Sequence, residues 1–404
     1  MLSSRSLPVR AAVAGLAGLT LVTAGCSSGG DTEPPDRTNA TAGRSTDSSE
    51  QAPGSPGGAS PAPAKGSVKV VDTVAEGLDS PWGLAPLPDG DLLVSSRDEG
   101  TIQRIDGDSG KKTELGSVPG VEAEGEGGLL GIALSPDFAR DHYVYAYFTS
   151  ASDNRIVRML YDADKAEGKQ LGAPSTVLRG IPKGGIHNGG RIAFGPDRML
   201  YAGTGDAGEH GLSQDKESLG GKILRMTPEG EPPGHGNPEA GSVVYSYGHR
   251  NVQGLAWDDQ KRLWASEFGQ HTWDELNLIR PGGNYGWPEV EGKAGKKGFI
   301  DPVAQWKPAE ASPSGIAFAR GSVWMAGLRG ERLWRIPLDG TTRTGSGEGV
   351  KPVAEPHAFL KGEYGRLRTV VSDGGDGLWL VTSETDSRGT PSKGDDRILK
   401  LEVR

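Results

Sequence analysis

The chain has 404 residues, of which 64 are glycine and 28 proline, while hydrophobic residues make up only 34%; a composition so rich in turn formers argues against a helical or doubly wound architecture. Nine Trp, nine Tyr and seven Phe still supply a core, which excludes wholesale disorder. A formal charge of −9 removes the electrostatic basis for nonspecific nucleic-acid binding, and a single cysteine rules out an intrachain disulfide or a cysteine-rich metal site.

That cysteine closes the first predicted element. Arg5 and Arg10 precede an uncharged small-apolar run, Ala11 to Val22, which leads into Thr23-Ala24-Gly25-Cys26. A charged start, an apolar stretch and small residues before a cysteine read as a lipoprotein-type signal peptide over 1–26, with Cys26 lipidated and the mature protein facing outside the cytoplasm. Ordinary secretion is the alternative, and the run is short for a membrane span. Residues 27–66 carry no Ile, Leu, Val, Met or aromatic residue, so they are expected to form a disordered Ser/Gly/Pro-rich tether. A lipid at Cys26 would then be the only link to a membrane.

Residues 67–404 form the predicted working domain. Short β-branched or alternating runs recur between Gly, Pro, Asp and Asn, and the runs line up as a repeat. Gly83-Leu84-Ala85, Gly131-Ile132-Ala133, Arg191-Ile192-Ala193, Gly254-Leu255-Ala256, Gly315-Ile316-Ala317 and Thr369-Val370-Val371 each open a unit. Second runs such as Leu263-Trp264-Ala265 and Leu378-Trp379-Leu380 follow, then basic-flanked third runs such as Arg332-Leu333-Trp334-Arg335. Six units predict an all-β, six-bladed β-propeller of four-stranded blades. A degenerate extra copy would make it seven or eight. Val68 to Val71 is expected to join the last blade and close the ring, sparing an open sheet edge.

Polar clusters between the runs are the candidates for chemistry. His187 lies in Gly184-Gly185-Ile186-His187-Asn188-Gly189-Gly190, where it reads either as a turn residue or as a base whose neighbours let a ligand approach. Asp206, in Gly203-Thr204-Gly205-Asp206-Ala207-Gly208, is either a turn or calcium carboxylate or the group that fixes the tautomer of His187. Arg250 and Asn251 precede the fourth unit; the arginine suits an anionic oxygen or an interblade carboxylate. Glycine turns around Gly269-Gln270 and at Gly282-Gly283-Asn284-Tyr285, with Glu275 between them, offer hard oxygen donors of the kind Ca²⁺ takes. Arg366 and Arg368 share one face of an extended segment, either a solvated face or an acceptor for a polycarboxylate.

These segments, with Gly125-Glu126-Gly127-Gly128-Leu129-Leu130-Gly131 and Gly286-Trp287-Pro288, resemble the soluble pyrroloquinoline quinone (PQQ)-dependent glucose dehydrogenases and the bacterial aldose sugar dehydrogenases, in the glucose/sorbosone dehydrogenase family. The resemblance spans roughly Pro81 to Leu401 and implies a six-bladed propeller holding PQQ and Ca²⁺. It implies that His187 takes the proton of a sugar's anomeric hydroxyl as hydride passes to the quinone, with Asp206 orienting it. It further implies cofactor contacts from Glu126, His187, Arg250, Asn251, Arg329, Arg366 and Arg368, and catalytic calcium on the Gly269 and Gln270 carbonyls. Glu275 and the Tyr285 region match a second calcium site, and Trp306 a place near the sugar. Electrons would pass to an external acceptor. Glu126 stands where the glucose enzyme has glutamine, and pocket-shaping insertions are shorter, so neither glucose specificity nor dimerisation is implied. A non-redox calcium propeller, either a carbohydrate-binding module or a lactone or ester hydrolase, is the alternative reading.

Overall fold

The computed structural model of the protein describes residues 66–338 and 353–404; the expected signal peptide, Cys26 and the tether up to residue 65 lie outside the described residues. Six four-stranded antiparallel sheets make up the domain. The first is built from Pro81–Pro86, Leu92–Ser96, Thr101–Ile105 and Lys112–Ser117. Blades two to five open on Leu129–Leu134, Ile192–Phe194, Val252–Trp257 and Pro313–Ala319, and the sixth on Leu367–Ser372. The six-bladed expectation therefore holds, and no helix among the described residues is long and apolar enough to cross a membrane.

The recurring glycine that opens the units has a packing cause. Opening strands of neighbouring blades run side by side, and a Cβ on Gly83 would sit 2.8 Å from the Leu130 carbonyl and the Ile132 amide of the next blade. Gly131 faces Gly190 and Ile192, Gly254 faces Ser314 and Ile316, and Gly315 faces Thr369 and Val370 in the same way. Only glycine admits this approach. Gly254→Ala is accordingly expected to destabilise the fold by about 1–3 kcal/mol, read from urea unfolding midpoints.

Two blades break the glycine rule, and they do so together. The third carries Arg191 at the glycine position and the sixth carries Thr369, and the Arg191 guanidinium donates to the Thr369 hydroxyl at 2.9 Å. It also donates to the Gln253 carbonyl and packs over Trp82, 4.3 Å from the ring centroid. A buried cation thus links opposite blades where the opening strands converge. Burial and the nearby Arg368 pull its pKa down to about 9.

The closing strand is longer than expected, Val68–Ala75, and pairs antiparallel with Ile398–Val403 in the last blade, from Val68 opposite Val403 to Ala75 opposite Ile398. Val74 and Ala75 are buried there. Removing residues 1–76 exposes that edge and is expected to lower the melting temperature by about 10 °C and to promote aggregation, measured by calorimetry and light scattering.

Candidate active site

Within a blade the second strand runs opposite to the first, so the segment entering a first strand and the segment leaving a second one lie at the same end of the sheet. Nearly all the polar clusters belong to those segments. They meet around a cavity of about 580 Å³. Glu126 precedes Leu129–Leu134, His187 precedes Ile192–Phe194, and Arg250 and Asn251 precede Val252–Trp257. Phe268, Gly269 and Gln270 follow Leu263–Glu267, Arg329 follows Ser322–Gly327, and Arg366 and Arg368 enter the last blade.

His187 sits in a backbone conformation that non-glycine residues rarely adopt, with φ at +57°. The turn is held from several sides. The Glu126 carboxylate accepts the His187 amide proton at 2.9 Å, and the Asn251 side-chain oxygen accepts the Gly189 amide at 2.9 Å. Gly205 must lack a side chain, because a Cβ there would overlap the His187 carbonyl. The His187 ring is 2.7 Å from Asp206 through Nδ1; Nε2, the other ring nitrogen, has no protein partner among the described residues.

Asp206 is wholly buried and surrounded by donors. Its second oxygen meets His210 Nδ1 at 2.7 Å and the Trp287 indole N–H at 2.9 Å, and the Gly208 amide donates to the first. Burial opposes ionisation of this carboxyl, but the hydrogen bonds from His187, His210 and Gly208 outweigh it and hold the pKa below the ordinary carboxylate range. An ionised Asp206 accepts from Nδ1–H, which fixes the tautomer in which Nε2 carries the lone pair.

The cavity wall is strongly cationic. Arg97, Arg250, Arg329, Arg366, Arg368 and Arg388 line the cavity, against the carboxylates of Glu126, Asp274 and Asp386. Arg366 and Arg368 both pair with Asp386, at 2.9 and 2.8 Å, as expected of two side chains on one face. Burial lowers the Arg368 pKa to about 10 despite Asp386. For Asp386, burial is overcome by Arg368 and Arg366, which bring its carboxyl to about 2. Arg250 is largely buried, and its Nε has no hydrogen-bond partner among the described residues. A buried unpaired donor in an arginine-rich cavity is the arrangement a rigid polyanion satisfies.

Oxygen donors flank this wall. Asp274 accepts the Gly269 and Ser312 amides, and burial lifts its carboxyl to about 6. Deeper in the same blade, Glu275 and Glu267 are buried beside each other; burial and then the Glu267 charge push the Glu275 carboxyl upward. Asn277 donates to both, and its own side-chain oxygen is buried without a partner. Such hard donors fit a divalent cation. Among the described residues no three His, Cys, Asp or Glu side chains converge on one point, so a cation here would draw on main-chain carbonyls, as at Gly269 and Gln270.

Three candidates lie away from the cavity. Trp306 pairs with Asp274 on the outermost strand of its blade, is 5% exposed and packs against Trp334 in an interblade core, so a place beside a sugar is corrected to a structural one. Glu275 and Tyr285 are not cavity residues either; the Tyr285 hydroxyl donates to the Leu278 carbonyl, and its ring stacks on His249. Conversely, Arg97, Asp386 and Arg388 belong to the cavity, and His210 to the Asp206 network, without a signal in the sequence; Trp82 and Gln253, at the openings of the first and fourth units, line the cavity as well.

Comparison with known proteins places this geometry. A family profile described as Glucose / Sorbosone dehydrogenase matches residues 78–390. The aldose sugar dehydrogenase YliI of Escherichia coli is 32% identical over 273 residues, covering 64% of this chain and 72% of that protein. Quinoprotein glucose dehydrogenase B of Acinetobacter calcoaceticus is 33% identical over 258 residues, covering 56% of this chain and 54% of its own length. Among solved structures, the PQQ-bound aldose sugar dehydrogenase of Streptomyces coelicolor superposes with a TM-score of 0.81 at 75% identity, over 85% of this chain and 100% of that one.

Proposed function

Because the chain belongs to the glucose/sorbosone dehydrogenase family, we propose that it is an exported PQQ-dependent aldose sugar dehydrogenase with its active site in the axial cavity. One observation carries the reading: an ionised Asp206 holds Nδ1 of a histidine whose Nε2 is free, in a cavity lined by six arginines that suit a polycarboxylate. Arg366, Arg368 and Arg329 would hold the carboxylates of PQQ, and Arg250 and Asn251 its quinone oxygens. The Gly269 and Gln270 carbonyls would hold Ca²⁺, with Glu275 and the Tyr285 region at a second ion. Bound PQQ with Ca²⁺ supplies a two-electron acceptor for the hydride of the sugar's anomeric carbon.

The chain's own part is proton transfer and orientation. His187 Nε2 takes the proton of the anomeric hydroxyl, and Asp206 stabilises the imidazolium that results. Upstream, we assign residues 1–26 to a lipoprotein signal and 27–66 to a tether from Cys26, with the acceptor of electrons outside the cytoplasm. The arginine count disfavours hydrolysis of a neutral lactone, which has no charge to pair with it. The experiment is dye reduction by the purified apoprotein with a panel of aldoses. Turnover only after both PQQ and Ca²⁺ are added is expected; turnover without PQQ overturns the proposal.

A further inference from the structure

Glu126 is the cavity-lining carboxylate that binds the histidine turn, and in a cavity built for a polyanion its charge needs a counterpart. The structure supplies one from the last blade, beyond the first blade in the ring. The Arg388 guanidinium, on the loop that follows Gly377–Thr382 in the last blade, donates to Glu126 Oε1 at 2.7 Å, while Glu126 Oε2 accepts the His187 amide. The Arg388 loop is itself tied to the arginine wall, because its amide donates to Asp386 Oδ1 at 3.0 Å and Asp386 Oδ2 pairs with Arg366 and Arg368. No other cation is within ion-pair distance of Glu126 among the described residues.

The Arg388 side chain is 58% exposed and that of Glu126 24%. An ion pair so wet adds little to stability, whereas its field acts on whatever enters the cavity beside it. We propose that Arg388 is a positioning and charge-balancing residue: it neutralises Glu126 so that the cavity accepts an anionic cofactor, and it pins the carboxylate that holds the backbone of His187. This rests on the PQQ reading above. It predicts a sign pattern that a merely structural bridge would not give, because the fault left by removing Arg388 is the Glu126 charge and removing that charge mends it.

The test is a double-mutant cycle on PQQ affinity in Ca²⁺ buffer, followed by quenching of tryptophan fluorescence in the apoprotein. R388Q is expected to bind PQQ about tenfold more weakly than the parent at low salt, with an unchanged melting temperature. E126Q/R388Q is expected to recover most of that loss, since glutamine still accepts the His187 amide without a charge, and R388K to retain most of the affinity. Equal affinity for R388Q and the parent, or no recovery in the double variant, overturns the inference. Failure of the parent itself to bind PQQ overturns instead the functional reading on which it stands.

Discussion

Replacing His187 with alanine is expected to lower kcat for aldose oxidation by about 10²–10⁴-fold, the range for loss of a positioned general base, while the melting temperature changes little. Asp206 retains the His210, Trp287 and Gly208 donors in that variant, so no buried charge is orphaned. The left-handed backbone at 187 is a second consideration. His187→Asn, which tolerates that conformation better than alanine, should lose as much rate and so separates chemistry from strain. Rates within threefold of the parent in both variants would remove His187 from the reaction.

Asp206→Asn should cost about 10³-fold in kcat, for a reason visible in its partners. Each is a donor: two histidine ring nitrogens, an indole N–H and a main-chain amide. An asparagine must turn its NH₂ toward at least one of them, and if it faces His187 the ring adopts the tautomer with its proton on Nε2. The same substitution has a pH signature. The Asp206 pKa is depressed in the folded protein, so its stabilisation is complete above the ordinary carboxylate value and is lost as pH falls below it. Urea midpoints between pH 6 and 3 should therefore fall for the parent, and the gap to Asp206→Asn should narrow in acid. A gap that widens in acid would contradict the assignment.

The repeat was legible because axial crowding imposes glycine on the opening strands, leaving Gly-Leu-Ala and its kin as a period in the chain. His187 and Asp206 were legible for a related reason: a tight approach of two turns requires glycines on both sides, and these isolate the polar residue between them. Asp386 and Arg388 had no such frame. Ser383-Glu384-Thr385-Asp386-Ser387-Arg388 reads as a solvated loop, and only ring closure brings it against Glu126, 262 positions away in the chain. His210 was hidden for a different reason, since it reaches Asp206 from a short turn of 3₁₀ helix, His210–Ser213, that no periodicity announces. Trp306 was placed near the sugar by the family resemblance alone, whereas the fold packs it against Trp334 of the next blade.

A crystal structure of the protein grown with PQQ, Ca²⁺ and a slowly oxidised aldose tests the central claim most directly. The account predicts the cofactor's carboxylates against Arg366 and Arg368, its quinone edge at Arg250, and the anomeric hydroxyl within hydrogen-bond reach of His187 Nε2. A quinone bound elsewhere on the propeller, or a sugar whose anomeric carbon lies on the side of the cavity away from His187, would contradict it.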